Sequence, residues 1–193
     1  SLPLIRRLGH ARPLSARLVA GRLGRTHVAV LTSGVGPDKA LARTVEALKL
    51  WPCSQLLSFG TCGALSDDLP VGSLVSPCAL KHAGQAEWKT VAPLAGHRAV
   101  SLVTVRQPVY RCEQRRELFE AGAQVCEMEA AAVQDADPGL GFHALKVVSD
   151  LAGAAPDEDL KPRDPLGFLR FQARAARLSE ALLAPALELL LVE

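Results

Sequence analysis

Three short apolar runs in this chain end in glycines or carboxylates: "LLSFGTCGAL", "VCEMEAAAV" and "ALKVVSDLAG". Each apolar part has the length of a strand rather than a helix. Segments with helical character lie between them, and strands alternating with helices give an α/β fold with a mixed sheet. In such sheets ligands sit beyond the carboxyl ends of strands. The three run-ends are therefore expected to meet, and to carry whatever chemistry the chain has.

The remaining elements follow the same alternation. Residues 14–23 and 26–33 read as a β-hairpin around Gly24. Pro37 opens a helix through about Leu50, since proline is tolerated in a first helical turn. Gln55 to Phe59 is a short strand stopped by "GTCG", and strands are expected over 72–80 and 99–105. Arg111 to Ala121 is a charged amphipathic helix. Gln124 to Cys126 is a brief strand feeding a helix that begins near Glu127 or Met128. Phe142 to Ser149 alternates little and reads as a buried strand, and Pro165 to the C-terminus as one long helix that Pro185 kinks or interrupts. The stretches "HAGQAEWKTVAPLAGHR" and "DLAGAAPDEDLKPRDP" read as surface loops.

A length of 193 residues suits one domain spanning 1–193. A net charge of +2 and the lack of any Lys/Arg run argue against nucleic acid as a partner. No apolar run reaches the ~18 residues of a membrane span. Five cysteines form no C-x-x-C pair and no ligand cluster with the five histidines. They read as reduced thiols of a cytoplasmic protein, with no metal site.

Taken singly, each motif has a plain reading. "TSGVGPDKA" lacks the third glycine of a dinucleotide fingerprint, since Lys39 stands there, so it reads as a tight strand-to-helix turn. "SFGTCGA" reads as a turn whose glycines would also let backbone N–H groups and the Thr61 hydroxyl approach a ligand. Asp150 could be a helix cap or turn carboxylate. Glu127 and Glu129 would point to opposite sides on a helix and to one face on a strand. At a strand-to-helix junction one of them is expected to face the cleft, while the other pairs outside it, an arginine being the candidate partner.

Together, "SFGTCGAL", "CEMEAAAV" and "VVSDLAG" resemble, in order and spacing, the purine nucleoside phosphorylase/uridine phosphorylase family. The nucleosidase branch that acts on methylthioadenosine and S-adenosylhomocysteine looks closest. "GRTHVAVLTSGVG" is similar to that family's hairpin and "SGIG"-type turn. The resemblance implies a three-layer α/β/α domain around a mixed sheet and a purine nucleoside substrate. It implies no cofactor, and a homodimer or higher homo-oligomer, for which Trp51, Trp88 and the leucines around helix 37–50 are the interface candidates.

Site residues follow from the same resemblance. Asp150 would protonate the purine at N7, because the base leaves poorly as an anion. Glu129 would accept the ribose hydroxyls, with Met128 against the sugar and Thr61, Cys62 and Gly63 along the sugar and nucleophile side. Val109 would contact the base, and Glu127 and Ser149 complete the set. The family's first strand, with the glutamate that activates water in its hydrolases, has no counterpart in these residues. The arginine that phosphorylases place before the "GTCG" position is matched by Ser58. Hydrolysis is therefore expected; phosphorolysis with phosphate as co-substrate, and a catalytically impaired nucleoside-binding protein, are the alternatives. The particular nucleoside stays open.

Overall fold

The computed structural model describes residues 2–151 and, beyond them, only Arg177 and Ala184, both helical. The expected C-terminal helix, its kink at Pro185 and most of the acidic loop before it lie outside the described residues. In chain order the elements are α1 (Leu2–Ile5), β1 (Gly9–Pro13), β2 (Leu18–Leu23), β3 (Thr26–Leu31), α2 (Pro37–Leu50), β4 (Gln55–Ala64), β5 (Leu74–His82), β6 (Lys89–Thr90), β7 (Arg98–Thr104), α3 (Cys112–Glu120), β8 (Val125–Glu127), α4 (Ala130–Asp135) and β9 (Gly141–Leu151).

Two sheets result. β1, β2 and β3 form an antiparallel sheet, with the expected hairpin turning at Gly24, whose φ of 57° suits glycine. The other six strands run in the order β6-β5-β7-β8-β4-β9, and β9 also pairs with β5, so this sheet closes on itself. It is mixed: β5–β7, β7–β8 and β4–β9 are parallel, while β4–β8, β5–β6 and β5–β9 are antiparallel.

Strand alternation decides what is buried. Leu80, Leu102, Val125, Val100 and Val75 are fully enclosed in one cluster that also takes in Ala130 and Ala131 of α4. Each such side chain stabilises the fold by roughly 1.5–3 kcal/mol over its exposed state. The alanines let α4 approach the sheet closely. A second cluster joins α1 and the hairpin sheet to β4, through Leu4, Leu8 and Val30 against Phe59.

Two expectations change. β4 does not stop at "GTCG" but runs through Gly60 and Gly63 to Ala64. Its ladder to β9 continues along the whole strand and β8 joins at Gly63 and Ala64, so tertiary pairing holds extended a segment whose glycines alone favour a turn. The "HAGQAEWKTVAPLAGHR" excursion contributes β6 to the edge of the sheet. Its Trp88 packs back on the cluster around Cys126, with the Lys81 ammonium 4.5 Å from the ring centre.

Candidate active site

The three run-ends do come together. On β4, Gly63 is the register partner of Asp150 on β9 and of Cys126 on β8. Asp150, Gly63 and Cys126 thus stand in one row across three strands, roughly 10 Å wide at the usual strand spacing. The β4–β9 register slips at this point: Cys62 pairs with Val148 and Gly63 with Asp150, leaving Ser149 as the extra residue. A bulge of this kind re-aims the side chains that follow it. Ser149 is buried, and its hydroxyl lies 3.2 Å from the Cys62 carbonyl and 2.6 Å from Asp150 Oδ1, which ties the Asp150 carboxyl to the bulge.

The two glutamates separate at the end of β8. Glu127 is still in the strand and almost wholly buried. Its oxygens accept from the Thr104 hydroxyl (2.7 Å), from the Glu129 and Ala130 N–H groups (2.9–3.0 Å), and from Lys146 Nζ at 3.0 Å. Lys146 is equally buried and also donates to the Ser58 hydroxyl at 3.1 Å. The predicted outward partner of one glutamate is therefore an inward one, and a lysine. A charge this deep needs such a partner. The helix starts later than expected, at Ala130, because the Glu127 carboxylate takes up the N–H groups of its first turn.

Glu129 turns the other way. It is the N-cap of α4 and borders a cleft of about 590 Å³, where its Oε1 accepts the Gly36 N–H at 2.9 Å. Burial, and then the neighbouring Glu127 carboxylate, hold the Glu129 pKa above the ordinary glutamate value, against the lowering effect of the Gly36 N–H. Gly36 has φ 100° and Gly34 φ 79°, and a Cβ on Gly34 would stand 2.1 Å from Arg43 Nη1. The "TSGVG" turn therefore needs both glycines, and through Gly36 it becomes part of the site.

Thr61, Glu129 and Lys146 border the cleft, whereas Cys62, Gly63, Glu127, Met128, Val109 and Asp150 do not. The cleft meets the candidate set only at this end. Its larger part runs back between β3 and β4. Val109 and Met128 pack on the cluster formed by Leu65, Val103, Val105, Ala123 and Cys126, on the β7–β8 side. Burial raises the thiol pKa of Cys62, and that of Cys126 to about 12, so neither is a thiolate nucleophile at neutral pH. All five cysteines are free. No described helix is long and apolar enough to cross a membrane.

Sequence reasoning missed Lys146, Thr104 and Gly36. The signal available for Lys146 was a lysine inside an otherwise apolar strand, "ALKVVS", which demands a buried acid as partner.

A mixed, closed sheet with carboxyl groups at the ends of the two strands that flank β4 defines a nucleoside phosphorylase-like α/β protein. Residues 3–101 match the model of the Phosphorylase superfamily, and the chain belongs to that superfamily, a family of enzymes. The match contains Thr61 to Gly63 and ends before Glu129 and Asp150. No curated protein matches the chain. Among solved structures it is similar to the S. pneumoniae 5'-methylthioadenosine/S-adenosylhomocysteine nucleosidase with a transition-state inhibitor (TM-score 0.78, 17% identity, 96% of this chain and 93% of that one). It is also similar to futalosine hydrolase of Helicobacter pylori strain 26695 (TM-score 0.75, 18% identity, 95% and 89%). A third is S-adenosylhomocysteine nucleosidase from Streptococcus pyogenes (TM-score 0.73, 19% identity, 95% and 91%). At these identities the likeness is one of fold.

Proposed function

We propose that this chain cleaves the N-glycosidic bond of an adenine-type purine nucleoside by hydrolysis, with Asp150 as general acid and Glu129 as the acceptor for ribose hydroxyls. The observation that carries the reading is the bulge at Ser149. It sets Asp150 in a row with Gly63 and Cys126, beside the junction from which Glu129 enters the cleft.

Breaking the bond builds positive charge on the sugar and negative charge on the base. A proton from Asp150 to the purine N7 removes the second. A carboxylate against the ribose hydroxyls stabilises the first and fixes the ring. The Glu127–Lys146 pair acts one step back: its hydrogen bonds hold the turn that presents Glu129. Water rather than phosphate is the nucleophile in this reading: its oxygen bonds to C1′ as the C1′–N bond breaks, and the proton it gives up replaces the one that Asp150 delivered to the base. Phosphate carries close to two negative charges and needs unmatched cations or converging donors. Lys146 is matched by Glu127, and Arg43 Nη1 is occupied by the Ser33 carbonyl. The decisive experiment is product analysis with a panel of purine nucleosides, with and without phosphate. Free sugar in both conditions is expected; sugar 1-phosphate formed only with phosphate present would replace hydrolysis by phosphorolysis.

The Glu129→Gln variant separates stability from activity. A carboxyl whose pKa is raised on folding favours the folded state when protonated. That contribution is present below its unfolded pKa and is lost as pH rises through the folded one. As pH rises above the ordinary value of 4.5 the wild-type loses it progressively, whereas the neutral amide has no charge to bury and still accepts from Gly36. The variant should melt above wild-type at pH 7, with the gap narrowing as pH falls toward the ordinary value of 4.5. Its kcat/KM should fall roughly 10–100-fold, the worth of a hydrogen bond to a charged group. A variant that melts below wild-type at pH 7 would refute the raised pKa.

A further inference from the structure

Charge is distributed unevenly along this chain. Residues 1–37 hold six arginines and no aspartate, glutamate or lysine. The rest carries 16 of the 22 Lys and Arg against all 20 Asp and Glu, so the net charge of +2 conceals a cationic lobe on an acidic body. Arg6, Arg7, Arg12, Arg17, Arg22 and Arg25 are all exposed. None of them makes an ion pair among the described residues, whereas Arg98, Arg106 and Arg115 each do. Like charges gathered in this way repel one another and cost stability unless an anion lies against them.

The fold gathers these arginines on the β1–β3 sheet. Arg22 stands opposite His27 on β3 and Gly9 on β1, and Arg12 stands opposite Ala20. Directly opposed residues share a face, as do residues two apart on a strand. Arg12, Arg22 and His27 are therefore on one face, and Val19, Leu23, Val28 and Val30, which belong to the apolar cluster, are on the other. The Gly9–Arg22 pairing also brings the turn with Arg6 and Arg7 to the same end of the sheet as Arg25 in the β2–β3 turn. Arg17 marks the opposite end, ~20 Å away along the six residues of β2 at the usual rise. None of the six borders the cleft of about 590 Å³.

We infer that this sheet is a docking surface for a bilayer carrying anionic phospholipids, held by arginine–phosphate contacts with no inserted segment. Guanidinium groups take phosphate oxygens in pairs. Headgroups that diffuse laterally match arginines spaced unevenly over three turns and two strands, whereas a nucleic-acid duplex offers phosphates at fixed spacing. Nucleic acid is also disfavoured by what the lobe lacks: the first 50 residues contain no Phe, Tyr or Trp to stack on a base and no Asn or Gln to read one. An acidic peptide added as a strand is disfavoured by β1, the edge of the sheet. Its ladder is irregular between Gly9 and Arg12, where His10 has φ 53°, and it ends at Pro13. No large apolar side chain is exposed among residues 4–34, so attachment is electrostatic and reversible. The surface lies outside the cleft, and the inference does not rest on the reaction proposed above.

The test is co-sedimentation of the full chain with vesicles of phosphatidylcholine, alone or mixed with phosphatidylserine. Binding to the mixed vesicles and not to the neutral ones is expected, and it should weaken as salt is raised. Arg22→Gln combined with Arg25→Gln should lower partitioning about 30-fold, roughly fivefold for each arginine. Arg22→Lys combined with Arg25→Lys keeps both charges and should retain most of the binding. Arg106→Gln removes a charge outside the sheet and should leave partitioning unchanged. Melting curves establish that each variant is folded; if the Gln pair is not, Arg6→Gln combined with Arg7→Gln, in a turn outside the ladder, takes its place. Equal binding to neutral vesicles, a folded Gln pair that binds as wild-type does, or a random-sequence duplex bound more tightly than the mixed vesicles at the same salt would overturn the inference.

Discussion

Replacing Asp150 with Asn is expected to lower kcat/KM by about 10²–10⁴-fold, the usual worth of a positioned general acid, without loss of the fold. The amide has the same shape, and its oxygen can still accept the Ser149 hydroxyl, now 2.6 Å from Oδ1. What it lacks is a proton to give to a departing base. The defect should depend on the leaving group. A nucleoside analogue whose base departs readily without protonation should lose far less, because the missing proton is no longer needed. Circular dichroism and melting would establish that the Asp150→Asn chain is folded. Wild-type turnover by that folded variant, or an equal loss with both kinds of leaving group, would remove Asp150 from the acid role.

Lys146→Met should be the most destabilising single change in the site. It leaves Glu127, nearly inaccessible at the end of β8, without its cation. Breaking a buried pair from one side costs about 3–5 kcal/mol, and in a domain of this size that lowers Tm by roughly 6–20 °C. The hydrogen bonds from Thr104, Glu129 and Ala130 remain and place the cost toward the lower end. Adding Glu127→Gln should recover part of the loss, since the amide removes the stranded charge and keeps an acceptor for those donors. A double variant less stable than the sum of the two single changes would show that the pair does not act as a unit. A Tm within a degree or two of wild-type for Lys146→Met would mean that the carboxylate finds solvent despite its burial.

Local physics wrote several elements legibly into the chain. Pro37 and the apolar spacing after it define α2 to the residue, and Gly24 marks the hairpin. The strands at β5, β7 and β9 follow from apolar runs of strand length between turn residues. The candidate site was legible as three motifs in order, because carboxylates next to apolar runs have few stable placements. Elsewhere local and non-local preferences disagree. The glycines of "GTCG" argue for a stop, yet β4 continues because β9 supplies hydrogen bonds from far along the chain. The short β1 and α1 carry no periodicity strong enough to read; β1 exists by pairing with β2, and α1 rests on the hairpin cluster through Leu4.

The sequence by itself determined the class of fold, the order of its main elements and the identity of the acids at the strand ends. These depend on properties of neighbouring residues: apolar period, turn chemistry and the cost of burying charge. Only the tertiary structure decided which glutamate is structural and which faces the cleft. That choice depends on Lys146, 19 residues away, reaching Glu127 across the sheet, and on Gly36, 93 residues away, donating to Glu129. It also decided that Asp150 stands in register with Gly63, since a bulge is a property of two strands in register and neither strand encodes it alone.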